Sequence, residues 1–442
     1  MNRVTGHVMD WDVSPLFVVL PYSGGEVMSV VSRVAALLIS IVIFFSICHP
    51  AFANKLGRGR FSDRNYTLLN NLILENGKHS RNYNPKHKPY AVCDWDNTSA
   101  FGDAEETLSY YMLDNLNYAL SVSEFRNAVS LGVPHGPSKL LNKEGKPIVF
   151  DDLIEDLVED YTYIYSHYSG FSGNKGLAEV KISEEYKDFA AKLYVMFDAL
   201  EATCDTALAD RWQGQLMSGM TSEQLMELSE KSIRKNLDGE LHKIKFSSSD
   251  KLKRRCNGVS STTFQGLRIN SDMRNLYRSL MDNGIDVYIL SASPEDIIIP
   301  IVCNKGYGYN IPRENVFGVR YAKINGVLQP ELSPKRVMTW GSGKVDLIRK
   351  QFVRTKGYTP ILVCGDSDGD YNMLSAFPET QLGLIVNRLK KGNIGTLCEQ
   401  ALRQRNDSKP RYILQGVDEN TGLFNADEAT VKWGTTGKYL VK

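Results

Sequence analysis

Two carboxylates stand two residues apart at the end of an apolar run. In YAVCDWDNTSAFGD, residues 90 to 103, Asp94 and Asp96 follow a strand-like stretch and Thr98 comes two residues later. If the strand continued, alternation would put both acids on one side with Cα atoms roughly 6.5 Å apart. At about 5 Å the charges repel by roughly 3 kcal/mol at an effective dielectric of 20. The acids of GDSDGD, Asp366, Asp368 and Asp370, end another apolar run and would add to the repulsion. A hard divalent cation with oxygen ligands removes the difficulty, and Mg²⁺ suits one or two carboxylates plus phosphate and water. One Asp then serves as nucleophile, while its neighbour holds and moves a proton. Ser291, after VYIL, and the amides beside it at Ala292 are placed to bind phosphate oxygens; Lys344, opening KVDLIRKQF, is placed to neutralise charge on a transferring phosphoryl group.

Such residues meet only if their elements bring them to one edge. From residue 284 the chain alternates buried strand and helix: IDVYILSAS, EDIIIPIVCNKG, GSGKVDLIRKQFV, PILVCGDSDGD and LGLIVNR. That rhythm implies a parallel, Rossmann-like α/β sheet with right-handed crossovers, whose strand carboxyl ends converge. Residues 89–103 and 284–402 form the expected core. Between them, 104–283 shows apolar residues three and four apart, as in EETLSYYMLDNLNYAL and EYKDFAAKLYVMFDALEA, and reads as an inserted helical lid. Residues 54–88 read as a lead-in arm, and 403–442 as an ordered C-terminal appendage.

The ordered set DWDNT, Ser291 in ILSAS, Lys344 in GSGKVDLI and GDSDGD resembles the haloacid dehalogenase superfamily. Within its phosphatase branch, DRWQGQLMSGMTSEQL and VYILSASPEDIIIPIV are similar to phosphoserine phosphatase-type and exported phosphorylcholine phosphatase-like proteins. The resemblance implies an aspartyl-phosphate on Asp94, general acid/base work by Asp96, and Mg²⁺ held by Asp94, the Asp96 carbonyl, Asp366 and Asp370. It implies substrate contacts from Thr98 and Ala292, and makes the insertion a type 1 cap closing over a small phosphomonoester. An Asp two residues after the nucleophile favours a phosphatase or a phosphomutase/phosphotransferase. Glu105 and Glu106, with Tyr110 and Tyr111, are candidates for an anionic, aromatic pocket for a quaternary ammonium. A secreted binding protein keeping the fold without turnover is the rival of another class.

Blander readings of single motifs fail in part. A calcium loop at 366–377 lacks its glycine, where Tyr371 stands, and its closing Glu; a nucleotide P-loop at 338–345 has Met338 for its first glycine and Val345 for Ser/Thr. Lys344 or Ser291 alone would be ordinary surface or strand-end residues. Their order with the acidic motifs is what singles them out.

Composition sets outer bounds. The 442 residues carry 52 Lys+Arg against 51 Asp+Glu, so no basic surplus points to nucleic acid. From Met28, MSVVSR, VAALLISIVIFFSI and CHPAFA follow the charged, apolar and small-residue order of a secretory signal, with cleavage expected after Ala53. Residues 1–53 are thus read as an extension plus signal with a true start at Met28. The protein is expected to be exported, touching a membrane only through that segment if uncleaved. The seven cysteines show no zinc spacing.

Overall fold

The computed structural model describes residues 55–441, and the expected signal lies outside them. Six parallel strands form the centre of the sheet: β1 (Tyr90–Cys93), β2 (Asp286–Pro294), β3 (Val316–Val319), β4 (Leu362–Gly365), β5 (Leu382–Asn387) and β6 (Tyr412–Asp418), in spatial order 3-2-1-4-5-6. Short pieces at Thr430–Val431, Lys438–Tyr439 and Leu423–Phe424 extend it beyond β6. Ala91, Cys93, Ile289, Leu362 and Cys364 pack into one apolar cluster, while Tyr90, Val92, Leu290, Val363 and Ile385 pack into another. Alternate residues therefore bury on opposite faces, which is why these strands read as unbroken apolar runs. In register, Cys93 sits beside both Cys364 and Ile289, so the residues that follow β1, β2 and β4 emerge side by side.

The lid is inserted after β1 on a two-stranded neck, Ala100–Phe101 paired antiparallel with Arg268–Ile269. Long helices at Ala104–Asn115, Phe150–His167, Glu184–Thr203, Thr206–Gln215 and Ser222–Asp238 make up its bulk. It is not wholly helical, since His242–Ser247 and Ser260–Gln265 form an antiparallel hairpin. Its C-terminal boundary falls earlier than residue 283. After the neck closes, the helix Ser271–Asp282 already belongs to the core, with Met273, Leu276 and Leu280 fully buried.

Residues 55–88 and 403–441 are tied into the core more closely than an arm and an appendage would be. Residues Asp63–Asn76 form a helix capped by Ser62, with Leu69 and Ile73 fully buried, and Asn65 Nδ2 donates to Leu414 O of β6 at 2.5 Å. The supposed appendage supplies β6, a fully paired strand. Gln415 and Gly416 interrupt its apolar pattern, but Gln415 is satisfied by Asn65 Nδ2 at 3.0 Å and Asn425 O at 2.6 Å. A buried polar residue with complete hydrogen bonding is compatible with a core strand and invisible to a hydropathy pattern.

Candidate active site

The carboxyl ends of β1, β2, β4 and β5 face the lid across a cavity of ≈370 Å³. β1 ends at Cys93, and Asp94 N still donates to Cys364 O at 3.0 Å. The chain then turns sharply at Asn97, whose φ is +58°. The two acids therefore do not share one strand face as alternation expects. The carboxylate of Asp94 accepts from Lys344 Nζ at 2.6 Å and from Thr98 Oγ1 at 3.1 Å. That of Asp96 accepts from Ala104 N at 2.7 Å, Ser293 Oγ at 2.7 Å and Ser291 Oγ at 3.2 Å.

Lys344 is fully buried at the start of the helix Ser342–Ile348 and also donates to Asp370 Oδ1 at 2.7 Å. The other oxygen of Asp370 accepts from Asp366 N at 2.9 Å and Ser367 N at 3.2 Å, folding the acidic loop around it. Gly365 permits this approach, because a Cβ there would lie 2.4 Å from the Asp370 Cβ. Asp366 accepts from Thr98 Oγ1 at 3.3 Å. Asp94, Asp366 and Asp370 each offer an oxygen within 4.8 Å of the others, and all three are buried. Three hard oxygen donors around one point fit a divalent ion such as Mg²⁺. The side chain of Asp96 is engaged elsewhere, so its share in a metal site would fall to its backbone carbonyl.

Charge in this cluster is under-compensated. Burial first, then Asp370, pushes Asp94 up to about 8 against the pull of Lys344. Burial also raises Asp366, to about 6, although Arg388 pulls it down. Lys344 is held charged despite its burial by Asp370 and Asp94. Asp96 is lifted well above the carboxylate range, chiefly by burial and then by Asp103, with Asp94 a smaller contributor. Its neighbour in sequence is thus not the main reason that it keeps a proton.

Facing these groups, the lid presents Asp103, Glu105, Glu106, Asp198, Glu201 and Asp210 together with Tyr194 and Phe197. Glu105 is buried with Oε1 unpartnered, and burial followed by Asp210 raises its pKa well above normal. Glu106 accepts from Thr263 of the hairpin and is pushed up to about 7 by burial and Asp103. Ala292 lines the same cavity. Tyr110 and Tyr111 do not: Tyr110 packs against Phe246, and Lys235 lies over Tyr111. Asp103, which the sequence reading missed, is the helix N-cap, accepting from Glu105 N and Glu106 N at 2.9 Å; an Asp just before the helical run is the signal that could have found it. Ser293 was missed as well; its place two residues after Ser291, on the same side by strand alternation, is the signal that could have found it. Tyr194, Phe197, Asp210 and Arg388 carry no such signal.

This sheet order, inserted lid and acid–serine–lysine–acid constellation define a class of fold, the haloacid dehalogenase-like architecture. The chain shares a family with a functionally unknown protein from Anaerococcus prevotii, to which it is 31% identical with a TM-score of 0.79, over 86% of this chain and 98% of that one. It is similar to a phosphorylcholine phosphatase from Pseudomonas aeruginosa, 28% identical over 234 residues, 47% of this chain and 63% of that protein. The match therefore spans less than two thirds of that relative's length. No family model matches the chain.

Proposed function

We propose that the protein hydrolyses a small phosphomonoester whose leaving group is cationic, with phosphorylcholine as the representative substrate. The observation that carries this is one cavity with two unlike walls. On the core side, Asp94 is gripped by Lys344 and Asp96 by Ser291 and Ser293. On the lid side stands a wall of carboxylates and aromatic rings, including a buried Glu105 oxygen without a partner. A quaternary ammonium supplies charge to such a wall and is attracted to ring faces. The carboxylate of phosphoserine would be repelled by it, which favours choline-like or simple amino-alcohol esters.

In this reading Asp94 attacks phosphorus while Lys344 neutralises charge growing on the phosphoryl oxygens. Asp96, kept protonated by its burial, gives its proton to the leaving oxygen and then takes one from the water that releases phosphate from Asp94. Ser291 and Ser293 hold the Asp96 carboxyl in place. Asp94, Asp366 and Asp370 would hold Mg²⁺, which when bound supplies Lewis-acid stabilisation of phosphoryl charge. The lid excludes water from the closed cavity. Export of the protein belongs to the same proposal, supported by the signal-like order from Met28 to Ala53.

The test is a panel of phosphorylcholine, phosphorylethanolamine and phosphoserine assayed with Mg²⁺ and with chelator. Highest kcat/KM on the choline ester, loss with chelator and loss in Asp94→Asn are expected. Turnover that survives Asp94→Asn would refute the nucleophile, and a preference for phosphoserine would refute the cation wall.

A further inference from the structure

Arg388 follows β5, lines the catalytic cavity and has a side chain only 18% exposed. Its Nη1 lies 3.5 Å from Asp366 Oδ2 and its Nε 3.6 Å from Glu419 Oε1. These are charge contacts, and Nε is buried without a hydrogen-bond partner. A guanidinium carries five N–H donors, and burying donors unspent is costly, so such a group in a cavity calls for an acceptor.

The fold invests in holding it there. Leu389, the next residue, sits at φ +56°, a strained conformation for a side chain branched at Cγ. Its N–H donates to Asn387 Oδ1 at 3.2 Å. Asn387 is fixed in turn by the C-terminal segment: its Nδ2 donates to Glu428 O at 2.9 Å and Leu440 O at 2.7 Å, and Thr430 Oγ1 donates to its carbonyl. Glu419 is pinned by Lys432 Nζ at 2.5 Å and Trp433 N at 3.1 Å. Residues 418–440 thus form a brace that turns the chain after β5 and sets Arg388 at the cavity wall.

We propose that Arg388 is a further substrate-binding residue, donating to the phosphoryl oxygens as a second cation beside Lys344, with the C-terminal segment as its support. This rests on the phosphomonoester reading of the same cavity. The rival role is neutralisation of Asp366 alone, which would act on metal binding and leave phosphate binding untouched.

Calorimetric titration of the full chain with inorganic phosphate in saturating Mg²⁺, and with Mg²⁺ alone, separates the two. In Arg388→Gln the phosphate Kd is expected to rise about tenfold or more, the loss of a charge-assisted pair, with the Mg²⁺ Kd within about twofold of wild type. KM for the ester should follow the phosphate Kd more closely than kcat does. Arg388→Lys, which keeps charge but loses the fork, should fall between, and Glu419→Gln should weaken phosphate by about threefold through a loosened guanidinium. If Arg388→Gln does not fold, Arg388→Lys decides alone. Unchanged phosphate affinity, or a shift in Mg²⁺ affinity instead, would overturn the proposal. Wild type that binds phosphate but hydrolyses no ester would sink the phosphatase reading and leave Arg388 standing. Ester hydrolysis with a phosphate Kd indifferent to Arg388→Gln would sink Arg388 alone.

Discussion

Two regions of this molecule bury a lysine among aspartates, to opposite ends. In the lid, Lys192 is fully buried between Asp156, at 2.8 Å, and Asp188. Around it the loop 249–256 completes the set. Arg254 Nη2 reaches Asp160 at 2.5 Å and Arg255 Nη1 reaches Asp156 at 3.1 Å, while Ser249 N and Cys256 N donate to Asp188 and Asp156 at 2.9 and 2.8 Å. The pKa of Asp156 comes out lowered, because Lys192 and these donors outweigh its burial, whereas burial and Asp188 push Asp160 up to about 8 in spite of Arg254. At the active site one buried lysine meets three carboxylates, with Arg388 and Lys390 also at the cavity wall, and Asp94 is pushed up to about 8. The lid cluster is a staple between a loop and two helices. The site is left shorter of positive charge, a deficit that a divalent cation would fill and that, in the proposed reading, must be filled before a phosphoryl group can approach.

Substitutions should break this contrast in a graded way. Asp94→Asn should lower phosphate release by ~10⁴-fold or more, read from steady-state assays, and should raise rather than lower the metal-free melting temperature near neutral pH, because folding no longer has to force a proton onto a buried carboxylate. Lys192→Met should do the converse. It removes the buried cation that Asp156 and Asp188 share and costs about 3–5 kcal/mol in chemical denaturation, and Mg²⁺ should not restore it. Mg²⁺ should stabilise the wild type, by ~2.7 kcal/mol at a hundred times its Kd, and Asp366→Asn should abolish most of that shift in a thermal-melt titration. Glu105→Gln should raise KM for the choline ester by about tenfold, the loss of a buried charged contact, whereas Tyr110→Phe, outside the cavity, should leave KM unchanged.

Asp94 and Asp156 should also respond to pH with opposite signs. A carboxylate in the unfolded chain loses its proton near about 4. Metal-free, Asp94 keeps its proton up to about 8, so between those values the folded state binds more protons and the site's contribution to stability falls as pH rises. Asp156, with its pKa lowered, stabilises above about 4, and that contribution is lost as pH falls through its folded value. Melting curves of metal-free wild type and Asp94→Asn across pH 4 to 8 should converge on the acid side and separate on the alkaline side. A constant gap would contradict the assignment.

Motif residues at strand ends were legible because the chemistry and the strand pattern coincide in one short stretch: an apolar run that stops at Asp94 or Asp366 sets a carboxylate where a strand leaves the core. The lid wall was legible only at Glu105 and Glu106, which follow closely on the first motif. Tyr110 and Tyr111 misled because helical spacing alone does not say which face meets the cavity; the structure turns them toward Phe246 and Lys235. The neck at 100–101 and 268–269 and the hairpin at 242–265 were masked by the strong helical periodicity around them.

Local pattern and motif order were enough to single out the nucleophile candidate, its acid partner, the serine, the lysine, the acidic loop and the alternating core that must gather them, because each ends or opens a short, strongly patterned element. Only the tertiary structure decided that Asp94 and Asp96 turn to different partners, that Asp103 outweighs Asp94 in raising Asp96, and that the C-terminal segment supplies β6 and braces Arg388. Those outcomes depend on burial and on charges brought from hundreds of residues away. Local pattern carries no record of either.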